Sequence, residues 1–80
     1  MNGIKIYKTL ITVLRYKTDD HKLKADEKGY FCTKEVLKVL RTLHPEYKYI
    51  TALDIQHSAI CDVKKRVEIT KDLTKVKLVA

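Results

Sequence analysis

The sequence has few of the residues that build phosphate-binding loops and disulfide frameworks. Its 80 residues include two glycines, one proline, two cysteines and no tryptophan. Two isolated glycines, Gly3 and Gly29, exclude a glycine-rich loop of the kind that cradles a nucleotide phosphate. Two cysteines, Cys32 and Cys61, are too few for a disulfide framework and lack metal-ligand spacing. We therefore expect two reduced thiols that are buried in the core as small apolar residues.

Long apolar segments and catalytic groupings are lacking as well. No segment approaches the roughly 18 apolar residues of a membrane span, and the N-terminus lacks the apolar run of a signal peptide. The three histidines, His21, His44 and His57, show no ligand spacing, and no nucleophile has an evident acid–base partner. These absences predict an intracellular protein, cytoplasmic or nuclear, with no membrane partner, no metal site and no catalytic residue.

Positive charge is what the sequence has in excess. Seventeen Lys and Arg against ten Asp and Glu give a net charge of +7. Such an excess on a small protein favours an anionic partner, and nucleic acid is the commonest one. The hydrophobic fraction of 45% is normal for a folded chain. We therefore expect one folded domain, residues 1–80, with a basic surface.

Hydrophobic periodicity predicts three helices. Residues 4–16 place apolar side chains on one helical face. Thr33 is expected to cap a second helix, which Pro45 terminates. Thr51 and Asp54 have the spacing of a capping box, and a third helix follows them to about residue 61. The expected apolar contacts are Tyr7, Leu10, Ile11 and Leu14 in the first helix, Val36, Leu37, Leu40 and Leu43 in the second, and Leu53, Ile55, Ala59 and Ile60 in the third.

Strand signals flank these helices. Residues 26–29 are typical of a type I turn, and residues 30–32 favour a short strand. Alternation on both sides of residues 71–74 predicts a hairpin with one solvated face, and this turn lacks the glycine of a tight two-residue turn. The order helix, short strand, helix, helix, hairpin predicts an α+β winged helix. In that fold the third helix enters a nucleic-acid groove and the hairpin forms the flanking wing.

Three groups of cations are candidates for phosphate contacts. Arginine binds phosphate through two parallel hydrogen bonds, and lysine acts as a point charge, so several such groups together would hold a phosphorylated ligand. The groups are Arg15 and Lys17 with Tyr16 at the end of the first helix, Lys64, Lys65 and Arg66 before the hairpin, and Lys71, Lys75 and Lys77 on the hairpin.

Four short motifs, in order, resemble the N-terminal lobe of the tRNA 2′-phosphotransferase family over nearly the whole chain. Leu14-Arg15-Tyr16 is similar to the Leu-Arg-His that ends the family's first helix. The segment from Leu23 to Tyr30 fits Leu-x-x-Asp-x-x-Gly-Tyr, and Thr33-Lys34-Glu35-Val36-Leu37 is similar to the helix after it. Lys64-Lys65-Arg66-Val67 resembles the Lys-x-Arg-Phe that opens the last hairpin.

The resemblance implies a role in tRNA splicing, where an internal RNA 2′-phosphate attacks NAD and leaves as ADP-ribose cyclic phosphate. It implies that Arg15 and Arg66 clamp the RNA phosphate, with Tyr16 in the family's histidine position. A tyrosine there donates one hydrogen bond but supplies no cationic imidazole. The family's NAD-binding lobe begins after this hairpin. We therefore expect no cofactor in this chain, and no complete reaction unless such a lobe is supplied.

Two other functions are consistent with the sequence. A DNA-binding winged-helix regulator would contact DNA through Gln56, His57, Lys64 and the wing lysines. A protein-interaction or inhibitor domain would expose an apolar patch, for which Tyr47, Tyr49 and Ile50 are the candidates. RNA is favoured over DNA as the partner because of the family resemblance.

Overall fold

Three α-helices and a three-stranded antiparallel sheet make up residues 3–79, which are the residues that the computed structural model describes. Met1, Asn2 and Ala80 of the expected domain lie outside them. The elements are α1 (Gly3–Tyr16), β1 (Phe31–Cys32), α2 (Thr33–Leu43), a short 3₁₀ helix (Pro45–Tyr47), α3 (Ala52–Cys61), β2 (Val67–Ile69) and β3 (Lys75–Leu78). The predicted α+β class and element order are confirmed. No helix within the described residues has the length and apolar character needed to cross a membrane.

Strand β3 lies in the centre of the sheet, in the order β1-β3-β2. Val76 pairs with Phe31 on one side and with Ile69 on the other, and its own side chain is fully buried. The connection from β2 to β3 is longer than a two-residue turn, as predicted. In it the hydroxyls of Thr70 and Thr74 donate to Asp72 at 2.6 and 2.7 Å, and these bonds lower the pKa of Asp72 to about 2.

The core lies between α1, α2 and the inner face of the sheet. The apolar side chains that are almost completely buried belong to these elements and to the loop before α3, and they are Leu10, Val13, Val36, Leu40, Ile50 and Val76. The predicted capping box opens α3, because the Asp54 carboxylate accepts a hydrogen bond from the Thr51 N–H at 2.9 Å. The predicted turn at residues 26–29 is also present, with Gly29 donating to the Asp26 carbonyl at 3.0 Å.

Of the four apolar contacts predicted for α3, two were wrong. Ile55 and Ala59 are buried, whereas Leu53 and Ile60 are 62% and 65% exposed. The reason is that α3 packs with one narrow face, and Leu53 and Ile60 lie seven residues apart on the other. Leu43, at the last turn of α2, is also partly exposed. The exposed face of α3 therefore carries Leu53 and Ile60 together with His57.

The prediction that both cysteines are buried was wrong. Cys32 and Cys61 are exposed free thiols, because Cys32 lies on the two-residue edge strand β1 and Cys61 ends α3 on its outer side. The prediction that Thr33 caps the second helix was also wrong. Cys32 is the N-cap residue, and Thr33 is the first residue of α2, with its N–H donating to the Thr74 carbonyl at 2.9 Å. The Thr33 hydroxyl is consequently buried without a partner among the described residues.

The exposed apolar patch that was expected at Tyr47, Tyr49 and Ile50, between α2 and α3, is not formed. Ile50 is buried in the core, and Tyr47 packs partly against it. Only Tyr49 of that set is strongly exposed. The 3₁₀ helix that begins at Pro45 turns the chain inward at Tyr47, since the Ile50 N–H donates to the Tyr47 carbonyl at 2.9 Å.

Candidate functional site

A buried carboxylate joins α1 to the connection between α3 and β2. Asp62 is the C-cap residue of α3, and its side chain is only 6% exposed. Its Oδ2 accepts a hydrogen bond from the Tyr7 hydroxyl at 2.7 Å, across 55 residues of chain. Its Oδ1 accepts from the backbone N–H of Lys64 at 3.0 Å. Asp62 therefore fixes the turn that leads into β2 against the first half of α1.

Arg66 is held in place by the same carboxylate. Both its backbone N–H and its Nε donate to Asp62 Oδ2 at 3.1 Å. Its Cζ lies 5.7 Å from the centroid of the Tyr7 ring, which is within cation–π range. The side chain is 36% exposed, and within residues 3–79 its two Nη atoms have no hydrogen-bond partner. The guanidinium is thus anchored on one edge and open on the other, the arrangement that an oxyanion needs for two parallel hydrogen bonds.

The contacts among Tyr7, Asp62 and Arg66 fix the charge of each group in this cluster. The Tyr7 hydroxyl, followed by the Arg66 N–H, lowers the pKa of the Asp62 carboxyl well below its usual range. Burial, together with the hydrogen bond to the Asp62 carboxylate, raises the pKa of the Tyr7 phenol well above 10. At neutral pH Asp62 is therefore ionised and Tyr7 is a neutral donor. The cluster presents the positive edge of Arg66 to solvent.

This arrangement predicts an acid-dependent loss of stability that depends on Asp62. A carboxyl whose pKa is lower in the folded state stabilises the fold above its unfolded pKa of about 3.9, and this contribution is lost as the pH falls. Asp62→Asn should therefore be less stable than the parent protein at pH 6, and the difference should shrink from about pH 4 downwards. Urea unfolding between pH 2 and 6 measures it. Asp20→Asn, which removes an exposed turn carboxylate, is the control, and a gap that does not change with pH would contradict the prediction.

Arg15 and Tyr16 lie at the other end of α1 from this cluster. Arg15 follows Tyr7 by eight residues, about 12 Å along a helix axis. Its Cζ lies 6.0 Å from the centroid of the Tyr16 ring, and Tyr16 is 74% exposed. The structure thus places the two predicted clamp arginines, Arg15 and Arg66, at different levels of α1.

The lysines of the second group have different surroundings. Lys65 has a left-handed backbone, with φ of 50°, and its Nζ donates to the Ile60 carbonyl at 2.8 Å. This contact satisfies a carbonyl in the last turn of α3, a common use of a lysine at a helix C-terminus. Lys64 is exposed and, within residues 3–79, has no ion pair.

Two of the predicted wing lysines make contacts within the protein. Lys75 Nζ lies 3.0 Å from Asp26 Oδ2 and ties β3 to the 26–29 turn. Lys77 Nζ lies 3.5 Å from Glu68 Oε2 and 4.7 Å from the centroid of the Tyr30 ring. Lys71, in the loop before β3, and Lys17, after α1, are exposed and have no ion pair in the described part of the chain.

Sequence analysis missed the two residues that position Arg66. Tyr7 was assigned to the apolar face of α1, and Asp62 was given no role. One signal was available, since a tyrosine on a buried helical face needs a hydrogen-bond partner for its hydroxyl. The identity of that partner depends on how α3 packs against α1. Across residues 3–79 no group of three or more His, Cys, Asp or Glu side chains is arranged to hold a metal ion.

Comparison with known proteins agrees with the motifs. A family model described as RNA 2′-phosphotransferase, Tpt1 / KptA family, matches residues 2–80, which is nearly the whole chain. A search of curated proteins found no match. The matched range includes Arg66 and the two residues that hold it, Tyr7 and Asp62. The chain therefore belongs to the RNA 2′-phosphotransferase, Tpt1 / KptA family.

Proposed function

We propose that this chain is a winged-helix module that binds RNA and holds an internal 2′-phosphate at Arg66. The observation behind the proposal is the position of the Arg66 guanidinium. Its Nε is fixed at 3.1 Å from a buried carboxylate, and its Nη edge remains open. A guanidinium oriented in this way binds phosphate at a small entropic cost, because the side chain is already ordered.

The chemistry of the ligand supports a phosphate monoester over an ordinary backbone phosphate. A monoester carries a charge of about −1.5 to −2 at pH 7 and has three free oxygens, whereas each backbone phosphodiester carries one negative charge. Two parallel N–H donors fit two oxygens of either group, so the larger charge and the third free oxygen of the monoester are what favour it. A 2′-oxygen is present in RNA and absent from DNA, so recognition at this position also selects RNA.

The winged-helix assignment is supported by the order α1-β1-α2-α3-β2-β3 and by the sheet order β1-β3-β2. In this arrangement Arg66 lies directly before β2, where the wing begins. Base reading in duplex DNA requires donors and acceptors on the helix that enters the groove. The outer face of α3 exposes Leu53 and Ile60 with one polar side chain, His57, between them. This small number of donors and acceptors favours RNA-phosphate binding over DNA reading.

In this proposal the described residues bind and orient the RNA phosphate and do not hold NAD. Gly3 lies within α1 and Gly29 lies in a turn, and no helix among residues 3–79 is entered through a glycine-rich loop. The described residues therefore do not fit the usual dinucleotide site. Their part in a 2′-phosphotransfer is to hold the phosphate in one orientation.

The proposal predicts selective binding that a titration can measure. We expect an RNA oligonucleotide with one internal 2′-phosphate to bind about 10-fold or more tightly than the same RNA without it, from the 1.5–3 kcal/mol typical of hydrogen bonds to charged groups. Matched duplex DNA should bind more weakly than either RNA. Equal affinity for both RNAs would contradict the 2′-phosphate site, and preference for the duplex would contradict RNA binding. Binding to none of the three would favour a protein-interaction domain.

A further inference from the structure

We propose that a groove between the turn at residues 21–23 and the outer face of α2 is a second contact for the RNA backbone, made by Lys22 and Lys38. This inference rests on the proposed function, since it assumes that the chain binds RNA. It adds a binding surface for the nucleotides that flank the 2′-phosphate. The phosphates of that flanking backbone are the chemical group recognised.

The groove is open, and its lining has two lysines and one glutamate. It has a volume of about 360 Å³. Leu23 and Val39, which are buried, form its apolar part. The remaining lining residues are polar or charged, and they are His21, Lys22, Glu35, Lys38 and Thr42. Lys22 and Lys38 are exposed and form no ion pair with any described residue, Glu35 included. Their charges are thus available to an anionic ligand.

The backbone of Lys22 supplies an independent observation. Its φ is 56°, in the left-handed region where glycine and asparagine are favoured and other side chains are strained. The turn is held by hydrogen bonds from Lys22 N–H to the Asp19 carbonyl at 3.1 Å and from Leu23 N–H to the Thr18 carbonyl at 2.8 Å. Non-glycine residues in strained conformations are concentrated at functional sites. Lys65 and Leu73 have a similar φ. The Lys65 ammonium caps α3 and Leu73 lies in the connection between β2 and β3, whereas no contact within residues 3–79 accounts for a lysine at position 22.

The turn that carries Lys22 lies at the C-terminal end of α1. The 17–23 segment folds back on the end of α1, since Lys17 N–H donates to the Val13 carbonyl at 3.0 Å and His21 N–H donates to the Lys17 carbonyl at 3.3 Å. The distance along the α1 axis from the level of Tyr7, where Arg66 lies, to this end is about 13.5 Å. In this proposal an RNA strand runs from the 2′-phosphate site along α1 and meets Lys22 at this end.

Two lysine substitutions test this inference. Lys22→Asn removes the charge and suits the left-handed backbone, so this variant should be at least as stable to urea as the parent protein. Lys38→Gln removes the charge at an exposed helical position. Lys34→Gln, also exposed and on α2 but not lining the groove, is the matched control. Affinity for RNA with and without the 2′-phosphate is measured over a range of salt concentrations.

We expect the Lys22 and Lys38 substitutions to weaken the binding of both RNAs equally. Each substitution should reduce the slope of log affinity against log salt by about 0.7–1, the change expected when one phosphate contact is lost. The ratio between phosphorylated and unmodified RNA should stay constant, because Arg66 is intact. Groove variants that match Lys34→Gln in affinity and slope would overturn the inference and leave the proposed function standing. Weakened binding of an acidic peptide such as polyglutamate, with RNA binding unchanged, would overturn it in favour of a protein ligand. A parent protein that binds no RNA would overturn both proposals.

Discussion

Replacing Arg66 with alanine should lower the affinity for 2′-phosphorylated RNA about 10- to 100-fold, the range given by losing one or two hydrogen bonds to a charged group. Affinity for the same RNA without the 2′-phosphate should change little. The physical reason is that the open Nη edge is the part of Arg66 that meets the monoester, while Nε stays on Asp62. Dissociation constants for the two RNAs, measured at one salt concentration, give the ratio.

Two further variants separate charge from geometry. Arg66→Lys keeps the positive charge but cannot make two parallel hydrogen bonds from a planar group, so we expect it to recover less than half of the lost binding free energy. Arg15→Ala tests whether the first-helix arginine is a second half of the clamp, in which case its loss should resemble that of Arg66→Ala. An Arg66→Ala variant that weakens both RNAs equally would show that Arg66 contacts the backbone and not the 2′-phosphate.

Replacing Leu40 with alanine should destabilise the protein by about 2–5 kcal/mol, the range for truncating a fully buried leucine. Leu40 is completely buried in α2. A domain of this size has a free energy of unfolding of about 4–12 kcal/mol, so the loss is a large part of the total. At about 4–8 °C per kcal/mol, the melting temperature should fall by roughly 10 °C or more.

Leu53→Ala is the matched control for this experiment. Sequence periodicity predicts Leu53 as a core residue, but in the structure it is largely exposed on α3. Its truncation should change the free energy of unfolding by less than about 0.5 kcal/mol, as for most surface positions. Calorimetry or urea unfolding of both variants measures the two changes in the free energy of unfolding. Similar destabilisation by the two substitutions would mean that α3 packs with the face that carries Leu53.

Local sequence rules predicted most of the elements because local interactions determine them. The capping box at Thr51 and Asp54 and the turn at residues 26–29 are formed by residues close in the sequence, and both are present. In α1 the expected apolar residues at helical spacing are buried, because the pattern marks a single wide face. In α3 apolar residues occur on two faces, so periodicity alone did not show which one packs.

The candidate site was only partly predictable because its contacts are tertiary. The resemblance pointed to Arg66, since the motif Lys64-Lys65-Arg66-Val67 is continuous in the sequence. It did not indicate that Tyr7 and Asp62 hold the guanidinium, because these residues meet only when α1 and α3 pack together. The expectation that both cysteines are buried failed for a related reason. Cysteine is usually a core residue, but these two lie at the ends of their elements.

The central claim is that the open edge of Arg66 binds the 2′-phosphate, and arginine side-chain NMR tests it directly. The sequence contains three arginines, Arg15, Arg41 and Arg66. Arg41 is an internal reference, because its Nη2 already donates to the Ile50 carbonyl at 2.7 Å. With 2′-phosphorylated RNA, the Nη protons of Arg66 should shift and exchange more slowly, while those of Arg41 stay unchanged and unmodified RNA has little effect. Unchanged Arg66 signals in a complex that is shown to have formed would contradict the account.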